Sequence, residues 1–299
     1  MARASIKQDA SSYFVKGFAY IFISFLAISC LIPFLLMIGT SFTNENTIRE
    51  FGFNIWPKEF DLLAYRLVFE NPDLVIGSYL VTIVMTICGT VLGLFLITMT
   101  GYALQRPDFE FRNQISFYIY FTTLFSGGLV PFYLLIVKVL GLKNNYLSVF
   151  LPGLMSPWLI ILMKNFTKSI PFAITESAKI DGANDFRIFL NIILPMSKPA
   201  LATVGLFLAL SYWNEWYNSM LFLEANVKYR PLQLFLYNVV NKAEYIRNSA
   251  ASSNIPPIDV PQESMKMATA IVAIGPIMLV YPFIQKYFIK GITIGAVKG

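Results

Sequence analysis

Residues Ile170 to Pro195 read IPFAITESAKIDGANDFRIFLNIILP, and this segment lies between two apolar regions of the chain. Pro171 suits the first turn of a helix and Gly182 permits a bend, so the pattern predicts two short helices hinged at Gly182. Apolar residues then recur at i, i+3, i+4 and i+7, as Phe186, Phe189, Leu190 and Ile193. This stripe has no obvious partner in the chain, which fits either docking into a groove of another protein or lying on a membrane.

The chain on either side of this segment has the composition of a membrane protein. Of its 299 residues, 56% are hydrophobic and 13% are charged, whereas about 25% are charged in soluble domains. A transmembrane helix needs about 20 apolar residues. The stretches of that length are 17–42, 77–104, 114–137, 144–163, 199–223 and 267–285. We therefore expect an all-α membrane protein with about six transmembrane helices, because helices satisfy their backbone hydrogen bonds within lipid.

The distribution of basic residues predicts the orientation. If the amino terminus is inside, the inner segments are 1–16, 105–113, 164–198 and 286–299, and Lys and Arg clearly outnumber acids in them. The outer segments, including the long polar ones at 43–76 and 225–265, are balanced. By the positive-inside rule both termini are cytoplasmic. The net charge of +6 then follows from topology, so we expect contact with membrane lipid and no nucleic-acid partner.

Residue content argues against an enzyme. His is absent, which removes the commonest general base and the commonest metal ligand. The chain also lacks the Gly-x-x-x-x-Gly-Lys-Ser/Thr pattern of a phosphate-binding loop. We expect no catalytic residues, no metal and no cofactor in this chain.

The hinged segment resembles the EAA loop of ABC importer permeases, in which Glu-Ala-Ala, three residues, Gly, nine residues, Ile, one residue and Leu-Pro follow in order. The matching positions are Glu176, Ala178, Gly182, Ile192, Leu194 and Pro195, with Ser177 in place of the middle Ala. Other motifs are similar to those of carbohydrate-uptake permeases related to the maltose importer. They are Asp181-Gly182-Ala183, Ser197-Lys198-Pro199-Ala200, Trp213-Asn214-Glu215-Trp216 and the tail Gly295-Ala296-Val297-Lys298-Gly299.

The resemblance implies a type I ABC importer fold with a cytoplasmic EAA-type coupling-helix loop at 170–195. Residues 1–76 would hold the cytoplasmic amino terminus, the first transmembrane helix and an outer loop. Residues 77–299 would form the core permease domain with five transmembrane helices. The implied place is the bacterial cytoplasmic membrane, which the chain crosses several times.

The same resemblance implies a non-catalytic subunit that moves a sugar, in particular an oligosaccharide. Its partners would be a second, different permease, two cytoplasmic ATPases that hold ATP and Mg²⁺, and an external solute-binding protein. The second helix of the loop would sit in a cleft of an ATPase, filled by Phe186 and Phe189. The implied coupling residues are Glu176, Ala178, Asp181, Gly182, Ala183, Phe186 and Phe189. The Gly295 to Gly299 tail would reach toward the ATPase or be a frayed terminus.

Glu215 is the only charged residue inside the expected spans, and intramembrane acids usually face a cavity or a partner. Around it stand Tyr212, Trp213, Asn214, Trp216 and Tyr217. Aromatic faces with polar edges suit a sugar, because ring C–H faces stack while hydroxyls take hydrogen bonds. Two interpretations stay open: these residues line a substrate path, or they pack between helices and subunits.

Two other functions compete with a sugar ABC permease. A self-contained, ion-coupled secondary transporter would also show several spans and a buried acid, but it would have internal repeats and more intramembrane charges. An ABC importer for a non-sugar solute would share the coupling loop. The carbohydrate-type terminus disfavours that alternative.

Overall fold

The computed structural model describes residues 10–252 and 261–296, and these are almost entirely helical. In chain order the helices are α1 (Ala10–Ser41), α2 (Glu45–Phe51), α3 (Leu63–Val68), α4 (Pro72–Gln105), α5 (Arg112–Leu124), α6 (Leu129–Leu134), α7 (Tyr146–Phe150), α8 (Pro157–Thr167), α9 (Phe172–Ile180), α10 (Asp185–Ile188), α11 (Leu194–Met196), α12 (Lys198–Trp213), α13 (Tyr217–Phe222), α14 (Leu232–Ser252) and α15 (Glu263–Ala296). Within the described residues, β structure amounts to one isolated antiparallel bridge, Thr43 with Phe60. The predicted all-helical class is confirmed.

Tighter and wider turns extend three of these helices. Wide π-helical turns continue α6 over Leu135–Val139 and α10 over Phe189–Ile193, and a 3₁₀ turn at Leu151–Gly153 continues α7. The last three residues of the tail, 297–299, lie outside the described part of the chain.

Several helices are long and apolar enough to cross a membrane. Continuous candidates among the described residues are Val15–Ser41, Pro72–Gln105 and Leu147–Thr167. Two more candidates are bent: Arg112–Leu124 meets Leu129–Val139 at 116°, and Asp185–Met196 meets Lys198–Trp213 at 84°. The expected sixth span lies within α15. The expected span at 199–223 is interrupted after Trp213, so α12 has 16 residues, about 24 Å of helix.

The packing of Cα atoms divides the chain into two compact units, residues 1–70 with 239–272, and residues 71–238 with 273–299. Residues 239–272, which the sequence placed in the core domain, thus pack with the amino-terminal segment. One contact between these segments is made by the buried carboxylate of Glu45, which accepts the backbone N–H groups of Glu263 at 3.0 Å and Ser264 at 3.2 Å. Both long segments that the sequence indicated as outer connections contain helices, α2 and α3 in one and α14 in the other.

The core of the second unit lies where α4 packs against α8 and α12. Its buried side chains are Ile97 and Leu104 of α4, Leu159, Ile160 and Met163 of α8, and Ala200, Val204 and Leu208 of α12. The segment 170–195 connects α8 to α12, so this core anchors it at both ends. Substitutions that remove apolar contacts from this core would therefore loosen the attachment of segment 170–195.

Candidate functional site

The predicted hinge is present at Gly182, which has a φ of +77°. The backbone N–H of Gly182 donates to the carbonyl of Lys179 at 3.0 Å, and that of Ala183 donates to the carbonyl of Ala178 at 2.9 Å. This pair of bonds closes α9 in the glycine-dependent manner typical of helix ends. On the far side, the Asn184 side chain accepts the N–H of Arg187 at 2.8 Å and caps α10. The two helices and their hinge are confirmed.

The apolar stripe after the hinge is divided between two faces. Phe189 is 2% exposed and lies against Tyr102 and Phe95, with ring centroids 6.1 and 5.8 Å away. Ile193 is buried in the same cluster. Phe186, in contrast, is 56% exposed. Phe189 thus packs into the chain's own core, because α10 lies on the end of α4, and its place in a partner's cleft stays a prediction.

The exposed rim of the loop is formed by apolar and charged side chains on both sides of the hinge. Ile180 is 87% exposed, and Phe186 and Leu190 are also exposed. Glu176 and Asp181 are exposed too. Sequence reasoning missed Ile180, although an apolar residue next to the hinge and between Lys179 and Asp181 could have drawn attention to it.

Small residues attach the loop to the core. Ala178 and Ala183 are partly buried against the cluster that contains Phe189 and Ile193. They therefore act as packing positions in this structure, whereas Glu176, Asp181 and Phe186 face outward. The seven expected coupling residues thus fall into an inner and an outer group.

Four charged side chains form a closed ring beneath the hinge, which we call the ion ring: Arg106, Asp108, Lys179 and Asp185. Arg106 contacts Asp108 and also donates to Asp185 at 2.7 Å. Lys179 lies 2.9 Å from Asp108 and 3.5 Å from Asp185. The ring joins the turn after α4 to the last turn of α9 and the first turn of α10. It therefore connects the two helices on either side of the hinge to the end of α4.

The ion ring is firmly ionised. Hydrogen bonds from the Arg106 guanidinium and the Lys179 ammonium hold the pKa of Asp108 well below its usual range. The hydrogen bond to Asp108 in turn raises the pKa of Lys179. Sequence reasoning counted Arg106 and Asp108 only as topology charges, because the residues that join them to the loop, Lys179 and Asp185, lie far along the chain.

The segment from Tyr212 to Tyr217 separates into buried and exposed members. The Tyr212 hydroxyl donates to the carbonyl of Phe150 at 2.9 Å. Its ring rests on Gly89 and Gly153, where an added Cβ would lie 2.3 and 2.9 Å from ring atoms. Trp213 is buried and donates from Nε1 to the carbonyl of Ala273 at 3.0 Å. In this structure Tyr212 and Trp213 therefore pack against other parts of the chain, as the packing interpretation expects.

Glu215 lies in the break between α12 and α13. Its Oε1 accepts the backbone N–H of Asn218 at 2.7 Å, and its Oε2 accepts from the Asn218 side-chain amide at 3.0 Å. A carboxylate at a helix amino terminus is stabilised by free N–H groups and by the helix dipole. Glu215 therefore holds the start of α13.

An aromatic and amide surface lies beside this break, which we call the aromatic face: Asn214, Trp216, Tyr217, Gln233 and Tyr237. All of these are exposed except Gln233, which is half-buried. The Gln233 amide donates to Asn214 Oδ1 at 3.3 Å. The rings of Trp216 and Tyr237 have centroids 5.1 Å apart and are inclined by 32°. Gln233 and Tyr237 were missed because their segment was interpreted as a connection, although their i, i+4 spacing in α14 puts them on one face.

Comparison with known proteins places this architecture in a family. Residues 80–294 match the family described as "Binding-protein-dependent transport system inner membrane component". The chain is 40% identical over 282 residues to the polygalacturonan/rhamnogalacturonan transport system permease protein YtcP of Bacillus subtilis, covering 94% of this chain and 96% of that one. It is 27% identical over 283 residues to the arabinooligosaccharides transport system permease protein AraQ of the same organism, covering 93% and 94%.

A solved structure agrees with these sequence relatives. It is a bacterial ABC transporter involved in the import of the acidic polysaccharide alginate, matched at a TM-score of 0.77 and 30% identity over 94% of this chain and 99% of that one. The resemblance found in the sequence is thereby confirmed. The chain belongs to the family of binding-protein-dependent transport system inner membrane components and is a multi-pass permease component with the type I ABC importer fold.

Proposed function

We propose that this permease imports an oligosaccharide, and that acidic oligosaccharides are the first class to test. The observation that carries the proposal is the 40% identity, over nearly the full length of both chains, to a permease named for polygalacturonan and rhamnogalacturonan. The similar solved transporter is named for an acidic polysaccharide as well. A polyanionic sugar chain is the chemistry that these two names share.

The aromatic face is the proposed sugar contact in this chain. Trp216, Tyr217 and Tyr237 offer ring faces for the C–H surfaces of a pyranose. The amides of Asn214 and Gln233 are placed to exchange hydrogen bonds with hydroxyls. Tyr212, Trp213 and Glu215 support this face from behind through packing and helix capping.

The energy for transport would come from partner subunits. In this proposal two cytoplasmic ATPases hold ATP and Mg²⁺, and this chain contributes no cofactor. A second, different permease completes the pore, and an external solute-binding protein delivers the sugar. Both termini lie in the cytoplasm of a bacterium, in accordance with the excess of Lys and Arg in the inner segments.

The coupling loop would pass motion from the ATPases to the membrane helices. The outer group of Glu176, Asp181 and Phe186 would enter a cleft of the ATPase together with Ile180, because these side chains face away from the chain's core. The ion ring and Phe189 would then carry the displacement to α4, whose last turn they contact. Rigid transfer of this kind suits a switch between two arrangements of packed helices.

Co-purification tests the coupling part of the proposal. The chain would be co-expressed with candidate ATPases and neighbouring permeases and purified through its own tag. We expect Phe186→Ala and Gly182→Asp to lower ATPase recovery at least tenfold, whereas Phe121→Ala, an exposed aromatic change in α5, should not. If no ATPase is recovered with the wild type while the chain alone transports solute on an ion gradient, secondary transport is the correct function.

Uptake tests the substrate part. Cells that carry the assembled transporter should accumulate labelled trigalacturonate in preference to neutral trisaccharides, and Trp216→Ala should lower that uptake more than tenfold. Equal uptake of maltotriose would show that the acidic class is wrong while leaving the importer intact.

A further inference from the structure

We infer that a basic pocket between α5 and α8 binds the headgroup of an anionic phospholipid. The pocket is a cavity of about 300 Å³. Lys164 and Ser116 lie in its wall, and the Lys164 ammonium donates to Ser116 Oγ at 2.7 Å. This bond uses one of the three ammonium donors and leaves two for a ligand.

Three basic side chains, Arg112, Lys164 and Lys168, lie at or near the pocket, and Glu110 is the acid that neighbours Arg112 in sequence. Arg112 and Lys168 are close enough to add to the positive potential at Lys164. None of the ion pairs between described residues includes Arg112, Lys164 or Lys168. The nearby acid Asp108 is already shared by Arg106 and Lys179. An external anion in the pocket would therefore meet Lys164 directly, and Arg112 and Lys168 would add to the positive potential there.

The amino-terminal end of α5 adds to the positive electrostatic potential at the pocket. Helix α5 begins at Arg112, has no acid in its first turn and has no side-chain capping bond at Phe111. The positive end of the helix dipole therefore points at the same region as the three cations.

The apolar part of the pocket lining favours a lipid over a soluble anion. Leu104, Ile119, Ile160 and Ile161 line the cavity next to the cations. An apolar wall continuous with a basic one matches a molecule with an acyl chain and a phosphate. The polar lining consists of Ser116, Tyr120, Lys164 and Asn165, which suits a phosphate headgroup. A free phosphate would leave the apolar wall unused, and a sugar acid would place its hydroxyls against that wall.

The position along the span agrees with a headgroup. Lys164 lies in the last turn of α8, immediately before the coupling loop, and Arg112 lies at the start of α5. With the loop in the cytoplasm, these residues stand at the level of the inner leaflet, where anionic lipids attract basic residues and where basic pockets between helices take headgroups.

Lipid titration of the full chain tests the inference. The purified chain would be stripped of lipid and titrated with palmitoyl-oleoyl-phosphatidylglycerol or, separately, with the phosphatidylcholine of the same acyl chains, and bound lipid would be counted by native mass spectrometry. We expect one phosphatidylglycerol to bind in preference to phosphatidylcholine. Lys164→Gln should weaken it roughly fivefold, and Lys164→Arg should retain it.

Matched variants distinguish lipid binding at this site from non-specific attraction between charges and from misfolding of the variant. Lys143→Gln removes an exposed cation that pairs with Glu224 and should leave binding unchanged. Ile161→Trp keeps every charge but fills the apolar wall, so it should also displace the lipid. Equal retention of the two lipids, no effect of Lys164→Gln, or displacement by inorganic phosphate or trigalacturonate at the concentration of the lipid would overturn the inference.

Discussion

The hinge at Gly182 and the break at Asn214 to Trp216 both interrupt a helical path, but they are held in different ways. Distant side chains hold the hinge: Arg106 and Asp108 through the ion ring, and Tyr102 through Phe189. The break is capped from within its own segment by Glu215, and its contacts with α14 are a hydrogen bond from Gln233 to Asn214 and a ring contact of Tyr237 with Trp216. In the part of the chain that the structure describes, none of the ion pairs includes a residue of the break. From this difference we infer that the hinge transmits movement to another part of the chain. The break instead is a rigid support for the aromatic face.

The largest expected effect is on the free energy of unfolding, and it distinguishes buried from exposed residues of the apolar stripe after the hinge. Phe189→Ala removes a buried ring and should lower the free energy of unfolding by about 3 kcal/mol. Leu190→Ala changes an exposed neighbour on the same helix and should lower it by less than about 1 kcal/mol. Denaturant unfolding of the purified chain in detergent, followed by fluorescence, would measure both. Equal losses would mean that the hinge is not anchored through Phe189.

A smaller effect is expected at the break. Tyr212→Phe deletes the hydroxyl bonded to the Phe150 carbonyl and should lower the free energy of unfolding by about 1 kcal/mol. Tyr217→Phe, on the exposed side, should leave stability within about 0.5 kcal/mol of wild type. The same unfolding assay would rank the two variants. A larger loss from Tyr217→Phe would contradict the division into buried support and exposed face.

The sequence predicts the local part of each region and misses the distant part. Two helices, a glycine hinge and a capped second helix follow from residues within one segment, and the structure contains them. The ion ring does not follow, because Lys179 and Asp108 are 71 positions apart. A stripe pattern likewise shows which residues share a face but not which other helix covers that face, so the burial of Phe189 was missed.

The segment from Tyr212 to Tyr217 shows the same limit of prediction from sequence. Its composition suits a sugar throughout, yet Gly89 and Gly153 make room for the ring of Tyr212 and so turn it into a core residue. Neither glycine lies near Tyr212 in sequence. The members of the aromatic face contributed by α14 were missed because that helix has a polar composition, which is also typical of an outer connection.

The smallest expected effect is the response of the hinge to pH. Asp108 has a lowered pKa, so its contribution is complete above about pH 4, the ordinary pKa of an Asp, and is lost as pH falls through the lower folded value. Lys179 has a raised pKa, so its contribution is complete below about pH 10, the ordinary range of a Lys, and is lost as pH rises through the higher folded value. We expect the hinge to keep the same stability between about pH 5 and pH 9.

Hydrogen exchange at the backbone amides of α9 and α10, corrected for the intrinsic pH dependence, would measure this plateau. Asp108→Asn should lower protection across the whole range by about 1 kcal/mol or less, because the ring is partly exposed and screened by solvent. In that variant the loss of protection on acidification should also shrink, since the group that titrates is gone. A protection step near pH 7 in the wild type would show that some group other than the ion ring stabilises the hinge, and the hinge would then resemble the break, which is capped from within its own segment, more closely than its contacts indicate.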